Sequence, residues 1–222
     1  RVLFRSVAGA GTGVVEASKV LGPERVATGD VLVAMASSGL HSNGYSLARH
    51  VLLGDDGAEL TTHVAELGRT LGEELLEPTR IYAQDCLALS DELGQGLHAL
   101  SHITGGGIAA NIARVLPADR TAVIDRTTWT PAPIFELIGQ RGGIAQADLE
   151  LTFNMGLGMV AVVAAEASEA AVHLLTSRGV NAWAVGGVRR REAGEHGDAE
   201  AKGGQGGAAV LSGAYRPSSV RG

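Results

Sequence analysis

The strongest constraint on this chain is Val31-Leu32-Val33-Ala34-Met35, five consecutive apolar residues between Gly29-Asp30 and Ser37-Ser38. An unbroken apolar run of strand length has no polar face to offer water, so it suits a strand buried on both sides. Residues 157–163 repeat the pattern, and 97–103, 122–124, 182–188 and 208–211 read as further strands. Between them, apolar residues recur at helical spacing. A helix is expected over 45–53, and a long one from Pro78 to about Leu93 with Tyr82, Cys86, Leu89 and Leu93 facing inward. Others are expected through Ile108, Ile112, Val115 and Leu116 up to Pro117, over 134–138, and over 167–178 closed by Gly179. Strands and helices alternate without a strict β–α–β rhythm. The fold class expected is α+β: a mixed sheet covered by helices, in three layers α/β/α.

Composition limits the function. The chain has 222 residues, 45% hydrophobic and 19% charged, enough for one good core. No apolar run approaches the roughly 18 residues of a membrane helix. Net charge is −6, and Arg189-Arg190-Arg191 is the only basic run, so neither nucleic acid nor membrane is expected as a partner. The single cysteine, Cys86, has no internal disulfide partner and falls on the inward helical stripe. Core packing in a cytoplasmic setting is the expectation.

Two segments share one construction: a buried strand, a loop of small residues, then a helix start. One is Ser37-Ser38-Gly39-Leu40-His41-Ser42-Asn43-Gly44-Tyr45-Ser46, the other Thr104-Gly105-Gly106-Gly107. Helix starts expose unpaired N–H groups, and glycines let backbone approach an anion closely. Neither loop has P-loop spacing. His41, beside the first helix start, could exchange a proton or pair as imidazolium with a phosphate. His98 and His102 alternate on one strand face and resemble a metal pair. With no acidic or cysteine ligand nearby in sequence, hydrogen-bonded strand histidines are the simpler expectation. Thr152-Phe153-Asn154-Met155-Gly156-Leu157-Gly158-Met159 leads into a strand. Its spaced glycines read either as close backbone packing or as a bulge at the sheet entry.

These segments together carry a family resemblance. Gly29-Asp30-Val31-Leu32 running into residues 37–46 resembles aminoimidazole ribonucleotide synthetase, the phosphoribosylformylglycinamidine cyclo-ligase family. So do Leu76-Glu77-Pro78-Thr79-Arg80-Ile81-Tyr82, His102-Ile103-Thr104-Gly105-Gly106-Gly107, residues 152–159 and Asn181-Ala182-Trp183, in the family's order across residues 7–191. The resemblance implies ATP-dependent closure of the imidazole ring of formylglycinamidine ribonucleotide in purine biosynthesis, with Mg2+, by a cytoplasmic homodimer. By that resemblance His41 is the catalytic candidate. Ser42, Asn43, Gly44, Thr104, Gly105, Gly106, Gly107 and Asn154 line the substrate cleft, with Asn154 offering an amide near the second loop, and no metal ligand is assigned.

The same resemblance sets the expected organisation. Residues 1–6 read as adapter-derived, and 7–28 as a closing strand (13–17) of an N-terminal domain plus a connector. Residues 29–216 form the C-terminal domain with a flexible Gly-rich loop at 192–207, and 217–222 form a tail. The family's N-terminal domain holds most of the ATP and Mg2+ site, so this chain is expected to be inactive alone. Alternatives are another superfamily member, such as formylglycinamidine ribonucleotide synthetase, selenophosphate synthetase, thiamin-monophosphate kinase or a hydrogenase maturation protein. A non-catalytic phosphate-ligand binding module and a purely structural domain are the others.

Overall fold

A computed structural model describes residues 10–53 and 60–217. The elements are β1 (Val31–Ala36), α1 (Tyr45–Leu53), β2 (His63–Val64), β3 (Arg69–Thr70), α2 (Leu71–Leu75), α3 (Ala83–Leu93) and β4 (Leu97–His102). They continue with α4 (Gly107–Ala113), β5 (Arg120–Asp125), α5 (Pro133–Gly142), α6 (Gln146–Thr152), β6 (Leu157–Val163), α7 (Ser168–Ser177), β7 (Ala182–Arg190) and β8 (Ala208–Ser212).

Six strands form one sheet in the order β4-β6-β1-β7-β5-β8, while β2 and β3 pair separately. Every neighbouring pair in the large sheet is antiparallel except β5 and β8, which are parallel. The mixed α+β sheet read from the sequence is therefore what forms. β1 is central and buried on both faces, with Leu32 and Ala34 in one apolar cluster and Val33 and Met35 in the other. The first cluster also takes residues from α1, α4, α5 and α6. The second takes Leu89 of α3 with Ala171 and Leu175 of α7. These are the three layers expected.

Strand direction positions everything that follows. β4 and β1 each run antiparallel to β6, which lies between them, so they run parallel to one another. The loops leaving β1 and β4 therefore emerge at the same end of the sheet, where the chain enters β6.

Several expectations need correction. Residues 13–17 pair with no strand among the described residues; they are exposed and lead into a 3₁₀ turn at Ala17–Lys19. Pro78 does not open a helix. Residues 77–82 form no helix: Pro78 O and Arg80 N–H bond to the β1 loop, and α3 starts at Ala83. α4 ends at Ala113, short of Pro117. The 192–207 segment is irregular, as read, but tied down at several points. Glu195 accepts from Thr121 Oγ1 at 2.9 Å and Arg189 Nη1 at 3.0 Å. Lys202 N–H donates to Ala110 O, and Gly207 N–H to Ala113 O, each at 2.9 Å. Residues 1–6 and the 218–222 part of the tail lie outside the described residues.

Candidate active site at the shared sheet end

The β1 loop is held by two other segments. Ser37 N–H donates to Gly156 O at 2.8 Å, and its hydroxyl donates to Asn154 Oδ1 at 3.1 Å. Asn154 is fully buried. Its Nδ2 donates to Gly39 O at 3.0 Å and Leu40 O at 3.3 Å, and its Oδ1 also accepts from Gly156 N–H at 2.8 Å. The side chain read as a ligand amide near the second loop is thus a strut inside the first. From the other side, Ser38 Oγ donates to Pro78 O at 2.7 Å and accepts from Arg80 N–H at 3.2 Å. Ser42 and Thr79 share a hydroxyl–hydroxyl bond at 3.1 Å.

The 37–46 loop and the 104–107 turn meet. Asn43 Oδ1 accepts from Gly105 N–H at 2.9 Å. Asn111, buried in α4, shapes the turn by donating to Thr104 O at 3.1 Å and Gly107 O at 2.7 Å. Two of the turn's amides are already engaged, Gly105 with Asn43 and Gly107 with Thr104 O at 3.1 Å. Glycine is required at 44 and 107 by space and conformation together. Gly44 has φ +73° and a Cβ there would stand 2.3 Å from the Phe153 ring; Gly107 has φ +73° and a Cβ would stand 1.6 Å from Glu150 O.

His41 sits at the centre with φ 57°, in the left-handed region, and is 3% exposed. Its Nε2 accepts from Ser38 N–H at 3.1 Å. A backbone amide can only donate, so Nε2 carries the lone pair and neutral His41 holds its proton on Nδ1. That buried Nδ1 has no hydrogen-bond partner among the described residues. Burial, and secondarily the nearby His102, lower the His41 pKa from 6.5 to about 4. The ring is a neutral donor at physiological pH, not the imidazolium considered from sequence.

Tyr82 completes the wall. Its ring centroid lies 6.1 Å from His41 and 6.3 Å from His102, and its hydroxyl donates to Ala36 O at 2.7 Å. Gly158 lies beneath both rings: a Cβ there would stand 1.8 Å from Tyr82 Oη and 2.8 Å from His41 Cε1. Both readings of the 156–158 glycines hold: Gly158 is closely packed and is also where the β1–β6 register slips, Met35 pairing with Met159 and Ala36 with Leu157, while Gly156, with φ +99°, makes the turn into β6. His98 belongs elsewhere. Its Nδ1 meets Asp30 Oδ2 at 2.7 Å, a partner 68 residues away that sequence proximity could not supply.

Sequence reasoning missed Asn111, Lys202 and the roles of Tyr82 and Gly158. Asn111 left a signal, a lone amide in the otherwise apolar 108–113 stretch, where burial demands hydrogen bonds. Lys202 Nζ reaches Thr104 Oγ1 at 2.8 Å, and nothing local in the sequence points there.

Residues 27–198 match the family described as AIR synthase related protein, C-terminal domain. The chain belongs to this family. A Streptomyces fradiae chain named as a phosphoribosylformylglycinamidine cyclo-ligase is 56% identical over 177 residues, covering 79% of this chain and 96% of that one. The phosphoribosylformylglycinamidine cyclo-ligase of Brevibacillus brevis is 47% identical over 186 residues, covering 84% of this chain and 53% of its own length. The chain thus spans about half the length of that relative. Among solved structures, the thiamine-monophosphate kinase of Stenotrophomonas maltophilia superposes with a TM-score of 0.55 at 19% identity, over 91% of this chain and 56% of that one. That likeness concerns the AIR synthase fold alone. No helix among the described residues is long and apolar enough to cross a membrane.

Proposed function

We propose that this chain supplies the substrate-cleft half of an ATP-dependent cyclo-ligase that closes the imidazole ring of aminoimidazole ribonucleotide. The observation carrying the reading is the junction of two loops around the β6 entrance, Asn43 Oδ1 to Gly105 N–H at 2.9 Å, with His41 buried beside it. Membership of the AIR synthase family and 47–56% identity to cyclo-ligase relatives support it.

In this reading ATP phosphorylates the formyl oxygen of formylglycinamidine ribonucleotide. An internal nitrogen then attacks the activated carbon, the C–O bond breaks, and ADP and phosphate leave. The chain's own part is positioning and charge stabilisation. Neutral His41 offers Nδ1–H to a substrate oxygen, with its tautomer fixed by Ser38 N–H. Ser42, Asn43 and Gly44 line one side of the cleft, and residues 104–107 the other. Among the described residues no three His, Cys, Asp or Glu converge as a metal site. No step is assigned to Mg2+. A homodimeric, cytoplasmic enzyme is the setting proposed.

The test is a chimaera in which residues 27–216 replace the corresponding C-terminal region of the Brevibacillus brevis relative. ATP-dependent formation of aminoimidazole ribonucleotide, followed by diazo coupling of its aromatic amine, is expected. His41→Ala in that protein should cut turnover about 100-fold or more while leaving the fold intact. A folded chimaera that makes no product sinks the cyclo-ligase reading, and undiminished turnover in the variant removes His41 from the site.

A further inference from the structure

Net charge is −6, yet an ammonium stands at the site end of the sheet with no carboxylate partner among the described residues. Lys202 is one of only two lysines in the sequence. Its backbone is fixed on α4 through Ala110 O, and its Nζ donates to Thr104 Oγ1 at 2.8 Å. Thr104 can accept from the ammonium because its own hydroxyl donates onward to Asn111 Oδ1 at 3.1 Å. Asn111 is fully buried and bonded to the turn it supports. The ammonium is therefore aimed by a relay that ends in the core. The following residues hold it there: a Cβ on Gly206 would stand 2.3 Å from Ala113 O, so this strand of loop lies directly on α4.

Among the described residues Lys202, Arg114 and His102 form no ion pair with a carboxylate. Burial first, then Arg114 and Lys202, lower the His102 pKa, so each of these two cations lies within electrostatic reach of the ring and disfavours its charged form. An ammonium fixed without a counter-ion leaves the unliganded site with a positive potential, which an anionic ligand relieves. A compact ammonium suits a phosphate as a point charge. Lys202 also lies beyond residue 198, where the family match ends.

We propose that Lys202 is a phosphate-binding residue, its ammonium held beside the 104–107 turn by Thr104 to receive the phosphate of a sugar phosphate or nucleotide. This rests on reading the site as a nucleotide-substrate cleft, and it names the side chain that holds the phosphate.

Calorimetric titration of the 222-residue chain with ribose 5-phosphate tests it, with ribose as the uncharged control. Ribose 5-phosphate should bind and ribose should not. Lys202→Ala should weaken binding at least tenfold, Lys202→Arg should keep most of it, and added salt should erode the wild-type affinity. Thermal melting of each variant separates a purely structural strut, which would lower the melting temperature and leave affinity unchanged. Equal affinity in Lys202→Ala, equal binding of ribose, or no binding of ribose 5-phosphate by the wild type overturns the proposal. Loss of Lys202-dependent binding with turnover retained in the chimaera removes this assignment alone. Lys202-dependent binding without turnover leaves the phosphate site standing and removes the cyclo-ligase reading.

Discussion

Replacing His41 with Asn should flatten the acid limb of the chain's stability curve. His41 is 3% exposed, its Nε2 is engaged by Ser38 N–H, and its pKa falls from 6.5 to about 4. Between those values the unfolded chain binds a proton that the folded chain refuses. The contribution is complete above the unfolded value and is lost as pH falls from 6.5 toward 4. Between about pH 7 and pH 5 the linkage relation gives a loss of roughly 2 kcal/mol from this residue. His102, shifted in the same direction by burial, Arg114 and Lys202, adds to the slope in both proteins and cancels in the comparison. Glu195, lowered to about 2 chiefly by its hydrogen bond with Arg189, acts with the same sign but only at more acid pH. Asparagine is the informative substitute because it tolerates the left-handed φ of 57° at this position and does not titrate. Urea unfolding at several pH values, run on wild type and His41→Asn, reads the difference directly. Parallel loss of stability in the two proteins across this window would refute the assignment of a buried, neutral His41.

Two further substitutions probe the packing that holds the site. Gly158→Ala places a methyl 1.8 Å from Tyr82 Oη and 2.8 Å from His41 Cε1, so a loss of about 1–3 kcal/mol is expected by urea unfolding; wild-type stability would show that the rings can move aside. Asn154→Ala strips partners from Gly39 O, Leu40 O, Gly156 N and Ser37 Oγ. It should cost about 2–4 kcal/mol, and near-neutral stability would mean the 37–46 loop stands without its strut.

What was legible in the sequence was whatever apolar burial writes locally. The run at 31–35 marks β1, which extends one residue further, and 157–163 and 45–53 coincide with β6 and α1. Shorter elements left weaker traces. α6 has seven residues, and α2 has five, although Thr70 and Glu73 form a capping box that the spacing could have disclosed. The expected start of α3 at Pro78 failed for a tertiary reason: Pro78 O and Arg80 N–H bond to Ser38, 40 and 42 residues away, in place of partners within a helix. Both small-residue loops were legible as unusual, but their meeting was not, because it depends on β6 pairing between β4 and β1. Asn154 exposes the deeper ambiguity. A polar side chain that satisfies buried carbonyls and one that meets a ligand look alike until their partners are known.

That ambiguity also says which groups remain for chemistry. Asn43, Asn111 and Asn154 hold the loops to one another and to the sheet, and the amides of Gly105 and Gly107 are engaged within the turn. A site welded this way is rigid before any ligand arrives, which keeps the entropic cost of ordering low at the moment of binding. It also leaves few free side-chain donors of sufficient strength. His41 Nδ1–H is buried and unpaired, and Lys202 carries a full charge fixed beside Thr104. One is neutral by desolvation and the other is cationic in water. A neutral donor can stabilise charge developing on a reacting oxygen without competing for the phosphate, while the ammonium takes the phosphate without protonating the reacting end. Under the function and phosphate site proposed above, the division of labour follows from burial: the residue held dry beside the β6 entrance would face the reaction, and the residue held at the rim would face the anion.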